Sequence, residues 1–176
     1  CWRARAHEPV LSQRMSEGIV LPSTRDRATL YDALQPQLEA LLDGERDVIA
    51  AMANITAVLN TAFAWHWTGF YRVMGTELVL GPFQGPVACA RIAFAKGVCG
   101  TAWAEARTVI VPDVDLFPGH IACSALSRSE IVVPVFDASG TVRAVLDVDS
   151  AVVNDLTIVD AMGLERACRS LTPLFA

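Results

Sequence analysis

The chain has no stretch of about 18 consecutive apolar residues, so no membrane-spanning helix is expected, although 53% of its 176 residues are apolar. It also lacks an excess of positive charge. Fourteen Lys and Arg against 19 Asp and Glu leave a net charge of −5 and a pI of about 5.1, which argues against nucleic acid or an anionic membrane surface as partner. The basic opening, Cys1 to His7, is not followed by an apolar h-region and is not read as a secretory signal. It begins with Cys rather than Met, so it is read as a scar, and residues 1–22 are treated as a poorly ordered lead outside the fold. With no export signal, a reducing, cytoplasmic compartment is expected, and a structural disulfide framework is not. The sequence shows no internal repeat, low-complexity tract or interdomain linker, so residues 23–176 are expected to form one domain.

Patterning within that domain gives a coarse order of elements. Ser23 with Asp26 resembles a helix N-cap and its reciprocal acid. The helix that follows should be interrupted or kinked near Pro36 and reach Leu42. Val48, Met52, Ile55 and Leu59 recur at helical spacing and predict a second helix to about Phe63. Trp65 to Val73 and Glu77 to Leu80 read as strands, Gly81 to Pro86 as a loop, and Cys89 to Phe94 as a short strand. Val98 to Ala104 reads as a short helix and Thr108 to Val111 as a strand. Gly97 and Gly100 lack the Lys-Ser/Thr ending of a phosphate-binding loop. The loop from Pro112 to Arg128 is long enough to suggest function, and Phe117, Ile121 and Leu126 should pack it down. A closing helix from Asn154 to about Leu171 should place Ile158, Met162 and Cys168 on or near its buried side. Tight turns between adjacent strands imply an α+β fold: a mostly antiparallel sheet, terminal helices on one face, long loops over the other.

The most informative stretch is Val111 to Ser150. Asp137-Ala138-Ser139-Gly140 between two apolar runs is a hairpin signal. A turn centred between Ala138 and Ser139 pairs Phe136 with Thr141 and Glu130 with Asp147. Asp147 and Asp149 point the same way, roughly 7 Å apart, so Glu130, Asp147 and Asp149 gather in one patch. Like charges facing across a ladder repel. Such a patch needs a compensator: a cation, a ligand amine, or a shared proton that raises one pKa. The competing reading is a solvated sheet face. Upstream, Trp67, Gly69 and Tyr71 share one parity, leaving a gap between two rings over Gly69. The rings either cover the sheet or form an aromatic box for a thioether methyl, and spacing alone favours the cover.

Of the five cysteines, Cys89, Cys99 and Cys123 lie in or beside loops, while Cys168 reads as a small core residue and Cys1 falls in the lead. The three loop thiols could pack, bind zinc with His120, serve a Cys-His acyl-transfer site, or act as a redox nucleophile with resolving thiols. Their separations do not resemble the C-x2–4-C pairs of structural zinc sites, and no oxyanion hole is evident. Neither a metal nor a cofactor is expected. The redox reading also uses the carboxylates, because thiol attack on a sulfoxide requires that its oxygen gain a proton, which a carboxyl in a like-charged cluster can carry near neutral pH.

The residues match a known family in several places: GPFQGPVAC (81–89), GVCGTA (97–102), VPDV (111–114), FPGHIAC (117–123), SRSEIVVP (127–134) and LDVDS (146–150). Together, from about Ser23 to the C-terminus, they resemble the free methionine-(R)-sulfoxide reductases, a GAF-domain family. The resemblance implies a GAF fold and reduction of free methionine (R)-sulfoxide. It places Cys123 at the nucleophile's position and Cys89 at the main resolving cysteine's. Cys99 matches a third cysteine, an auxiliary resolver or dispensable. Glu130, Asp147 and Asp149 match carboxylates that hold the amino group and activate the sulfoxide oxygen. Trp67 and Tyr71 match aromatics flanking the sulfur end. It implies thioredoxin as reductant; a homodimer stays open. The rival expectation is a non-catalytic GAF module sensing a small metabolite.

Overall fold

The computed structural model describes residues 18–120 and 124–175. Six strands form one antiparallel sheet in the order β3-β2-β1-β6-β5-β4. They are β1 (Trp67–Met74), β2 (Glu77–Gln84), β3 (Arg91–Ala93), β4 (Val109–Val111), β5 (Ser129–Phe136) and β6 (Val142–Ser150). Helices α1 (Arg27–Leu42), α2 (Val48–Phe63) and α4 (Ile158–Arg169) supply one apolar layer; α3 (Gly97–Glu105) belongs to the other.

The two faces follow from the two-residue period of the strands. Phe70, Ile131, Val133, Val135, Ala144, Leu146 and Val148 pack with Leu34, Leu38, Met52, Ile55, Leu59 and Leu164 of the three long helices. The alternate residues, Trp67, Tyr71, Val132 and Val145, pack with Val98, Cys99 and Ala102 of α3. This is the expected division into terminal helices on one face and connecting segments on the other.

Several local expectations are corrected. The cap of α1 is Asp26, not Ser23: its carboxylate accepts from Thr29 N at 3.0 Å. The helix continues through Pro36 to Leu42, because Leu34 and Leu38 on either side are buried and offset the lost donor. Strand β2 runs on to Gln84 through the segment read as a loop. Only Glu77 to Val79 pair with β3, so Pro82 sits where β2 has become an edge and needs no second ladder partner. Cys168 is buried as expected, but Ile158 and Met162 are each 66% exposed, and the rest of α4's buried face is Asp160, Ala161, Gly163, Leu164 and Ala167. That face turns inward because Asp160 accepts from Arg27 Nη1 at 2.9 Å and from Tyr31 Oη at 3.2 Å, while closing the capping box with Thr157. Leu126 is 64% exposed and does not pack the long loop down, although Phe117 does pack; Ile121 lies outside the described residues. Of the lead assigned to residues 1–22, residues 1–17 lie outside the described residues, and Ile19 and Leu21 pack against the helical core.

Candidate active site

The β5–β6 pairing sets the site. Glu130 lies opposite Asp149, and Asp147 opposite Val132, so the expected Glu130–Asp147 pair is off by two residues. Two local features cause the shift. The turn holds three residues rather than two, with Gly140 at φ 82° and Asp137 N donating to Thr141 O at 2.9 Å. A further irregularity follows where Val135 pairs Ala144 but Phe136 pairs Val142, leaving Arg143 extra. Each alone would flip the strand; together they preserve parity, so all three carboxylates stay on the α3 face of the sheet.

Strand β1 continues the rows. Trp67 lies beside Asp149 and Gly69 beside Asp147. A Cβ at Gly69 would stand 2.5 Å from Trp67 Cη2 and 2.4 Å from Phe83 Cβ, so the ring of Trp67 and Phe83 fill the space over the glycine. The gap expected between Trp67 and Tyr71 is thus occupied by Trp67 itself, whose ring centroid is 5.9 Å from that of Tyr71. Trp67 Nε1 donates to Pro86 O at 3.1 Å and Tyr71 Oη to Cys89 O at 3.0 Å, which ties the 85–90 segment down on the sheet. Both rings, the three carboxylates, Cys99 and His120 line one cavity.

Comparison with known proteins decides the family. Over 152 residues the chain is 40% identical to the free methionine-R-sulfoxide reductase of Escherichia coli, covering 86% of this chain and 92% of that one. Over 155 residues it is 37% identical to the Saccharomyces cerevisiae protein of the same name, covering 84% and 86%. The chain belongs to the free methionine-(R)-sulfoxide reductase family. A solved structure of the Neisseria meningitidis reductase in complex with its substrate matches at a TM-score of 0.85 and 49% identity, covering 90% of this chain and 96% of that one. A GAF domain structure matches at a TM-score of 0.84 with 34% identity, so this reductase has the GAF fold. No family model matches the chain.

Burial governs the electrostatics of the reductase's cavity. Glu130 and Asp147 are 5% and 7% exposed, and burial, reinforced by the Asp149 charge, pushes both carboxyls well above the usual range. Buried side by side, two such carboxyls favour sharing a proton over ionising together. Burial lifts Asp149 to about 6, against the pull of the Ser127 hydrogen bond and of His66 and His120. Burial, followed by the neighbouring carboxylates, holds the Cys99 thiol well above an ordinary thiol. Cys99 is therefore a protonated, buried group. Cys89 is disulfide-bonded in this structure, and Cys123 lies outside the described residues.

Lys96, Ser124 and Ser127 line the cavity and were not picked out by sequence reasoning, nor was His66, which meets Ser124. His66 Nε2 and Ser124 Oγ are 2.9 Å apart, tying the end of the long loop to the start of β1. The only available signal was position, since His66 precedes β1 and Ser127 precedes Glu130 by three residues. His120 was read as ordering its loop; its Nε2 reaches Glu130 Oε2 at 3.4 Å.

The cluster should lower stability at neutral pH. The folded-state pKa of Asp149 is raised, so its stabilising contribution is full below the ordinary value of 3.8 and is lost as pH rises through about 6. Asp149→Asn is expected to be more stable than the parent by about 2 kcal/mol at pH 7.5, with the difference vanishing near pH 4. Urea denaturation at the two pH values measures this.

Proposed function

We propose that the protein reduces free methionine (R)-sulfoxide to methionine through Cys123, with Cys89 as resolving thiol and thioredoxin as reductant. One observation carries the proposal. Three carboxyls crowd a cavity beside two aromatic rings, in a chain whose relatives carry this activity in their names. The described residues flanking position 123, His120 and Ser124, line the same cavity.

The chemistry divides along the cavity. The ionised carboxylates hold the α-ammonium group, whose charge offsets their repulsion. Trp67 and Tyr71 offer apolar surface to the thioether end. The thiolate of Cys123 attacks the sulfoxide sulfur, and the carboxyl proton held by the Glu130–Asp147 pair passes to the sulfoxide oxygen. Oxygen leaves with the cysteine as a sulfenic acid, and methionine departs two electrons richer. The Cys89 thiol then displaces water from the sulfenic acid and forms a disulfide with Cys123. A dithiol reductant of the thioredoxin class reopens it in a reducing compartment. Cys99 is left out of this relay, since its thiol is buried and held well above the ordinary range.

The test is thioredoxin-coupled NADPH oxidation with the separated epimers of free methionine sulfoxide. Steady turnover of the R epimer with at least about 100-fold less for S is expected. No turnover of either, with binding retained, would replace the enzyme reading by that of a sensing module.

A further inference from the structure

Cys99 Sγ and one carboxylate oxygen each of Glu130 and Asp147 all lie within 4.8 Å of one another, and all three residues are buried. No step proposed above uses the Cys99 sulfur. Asp147 is 7% exposed, and its Oδ1 has no hydrogen-bond partner among the described residues. An orphaned acceptor this deep loses hydration without recompense unless something fills its place. Among the described residues, the one basic nitrogen within 4 Å of a carboxylate of Glu130, Asp147 or Asp149 is His120 Nε2, 3.4 Å from Glu130 Oε2. The site thus brings together one sulfur donor and two oxygen donors on α3, β5 and β6, in a cavity that three carboxyls and one lysine, Lys96, line.

We infer that Cys99, Glu130 and Asp147 form a binding site for a borderline-soft divalent cation of the zinc class. One sulfur and two carboxylate oxygens make three protein ligands, leaving a fourth position toward the cavity, the arrangement zinc takes in open sites. Binding releases the Cys99 proton, and the sulfur ligand selects against magnesium and calcium, which take oxygen ligands alone. This differs from the structural zinc site that the cysteine spacing argues against: it uses one cysteine, and the fold does not depend on it. The cation would occupy the carboxylates that the ammonium group needs, so it competes with substrate. That consequence rests on the proposed function, whereas the site itself does not.

The experiment titrates reduced, metal-free protein with Co2+ in the absence of substrate. The expected result is one equivalent bound, with a thiolate-to-cobalt charge-transfer band in the near ultraviolet and visible bands of tetrahedral intensity. Added Zn2+ should abolish both. Cys99→Ala should remove the charge-transfer band, Cys89→Ser should keep it, and Asp147→Asn should keep it while weakening Co2+ binding at least about 10-fold. Because Asp147→Asn retains the sulfur and removes a buried charge, it tests the site even if Cys99→Ala does not fold. Absence of the band, its survival in Cys99→Ala, its loss in Cys89→Ser, or unchanged affinity in Asp147→Asn would each overturn the assignment. All arms are read without substrate, so failure of the reductase proposal leaves the result interpretable.

Discussion

Cys123→Ser is expected to abolish turnover, with kcat falling by at least about 1,000-fold, because a serine hydroxyl at neutral pH is neither ionised nor polarisable enough to attack a sulfoxide sulfur. The substitution changes one atom, so substrate affinity should change little, and that separates chemistry from binding. Cys89→Ser should behave differently. It should release about one equivalent of methionine per enzyme and then stall, because the first step needs only the attacking thiol and the second needs a partner to condense with its sulfenic acid. Quantifying methionine after rapid mixing with stoichiometric substrate distinguishes the two variants. Multiple turnovers by Cys123→Ser would remove Cys123 from the nucleophile's role.

The second large effect is expected for Asp147→Asn. Asp147 is buried, its carboxylate within 4.8 Å of Glu130 and Cys99, and placed beside Gly69 in the row next to the Glu130–Asp149 pair. The amide retains the shape but can neither hold an ammonium charge nor pass a proton. Removing a charge-assisted hydrogen bond from a buried site costs about 2–3 kcal/mol, which is roughly a 30- to 150-fold drop in kcat/KM. Stability should not fall with it, because the substitution removes one of three mutually repelling buried acids. Activity loss accompanied by an unchanged or raised Tm is the expected signature. Equal losses of activity and Tm would mean that Asp147 serves the fold instead.

The carboxylate patch was legible because strand parity survives errors of two residues. Local patterning centres the turn between Ala138 and Ser139; the left-handed Gly140 adds one residue and the irregularity at Arg143 adds another. Neither has a strong local signal, yet their sum keeps Glu130, Asp147 and Asp149 on one face. Had only one been present, the inferred patch would have been wrong. The reading of α4 held for the helix and for buried Cys168 but failed for Ile158 and Met162. It followed apolar residues, whereas that helix buries Asp160 against Arg27, a partner 133 residues away. Periodicity cannot foresee a buried charge whose compensator is distant in sequence. The space over Gly69 was misjudged for a related reason: local spacing shows that a side chain is missing, but not that Trp67 and Phe83 fill its place.

Recognition of the substrate's free ammonium group by the acid cluster is the central claim. The most direct measurement compares kcat/KM for free methionine (R)-sulfoxide with that for its N-acetyl derivative, which keeps the sulfoxide and loses the charge. A drop of at least about 100-fold on acetylation is predicted, since buried charge-assisted hydrogen bonds disappear and three acids are left without their counter-charge. Equal efficiency for the two substrates would contradict the claim.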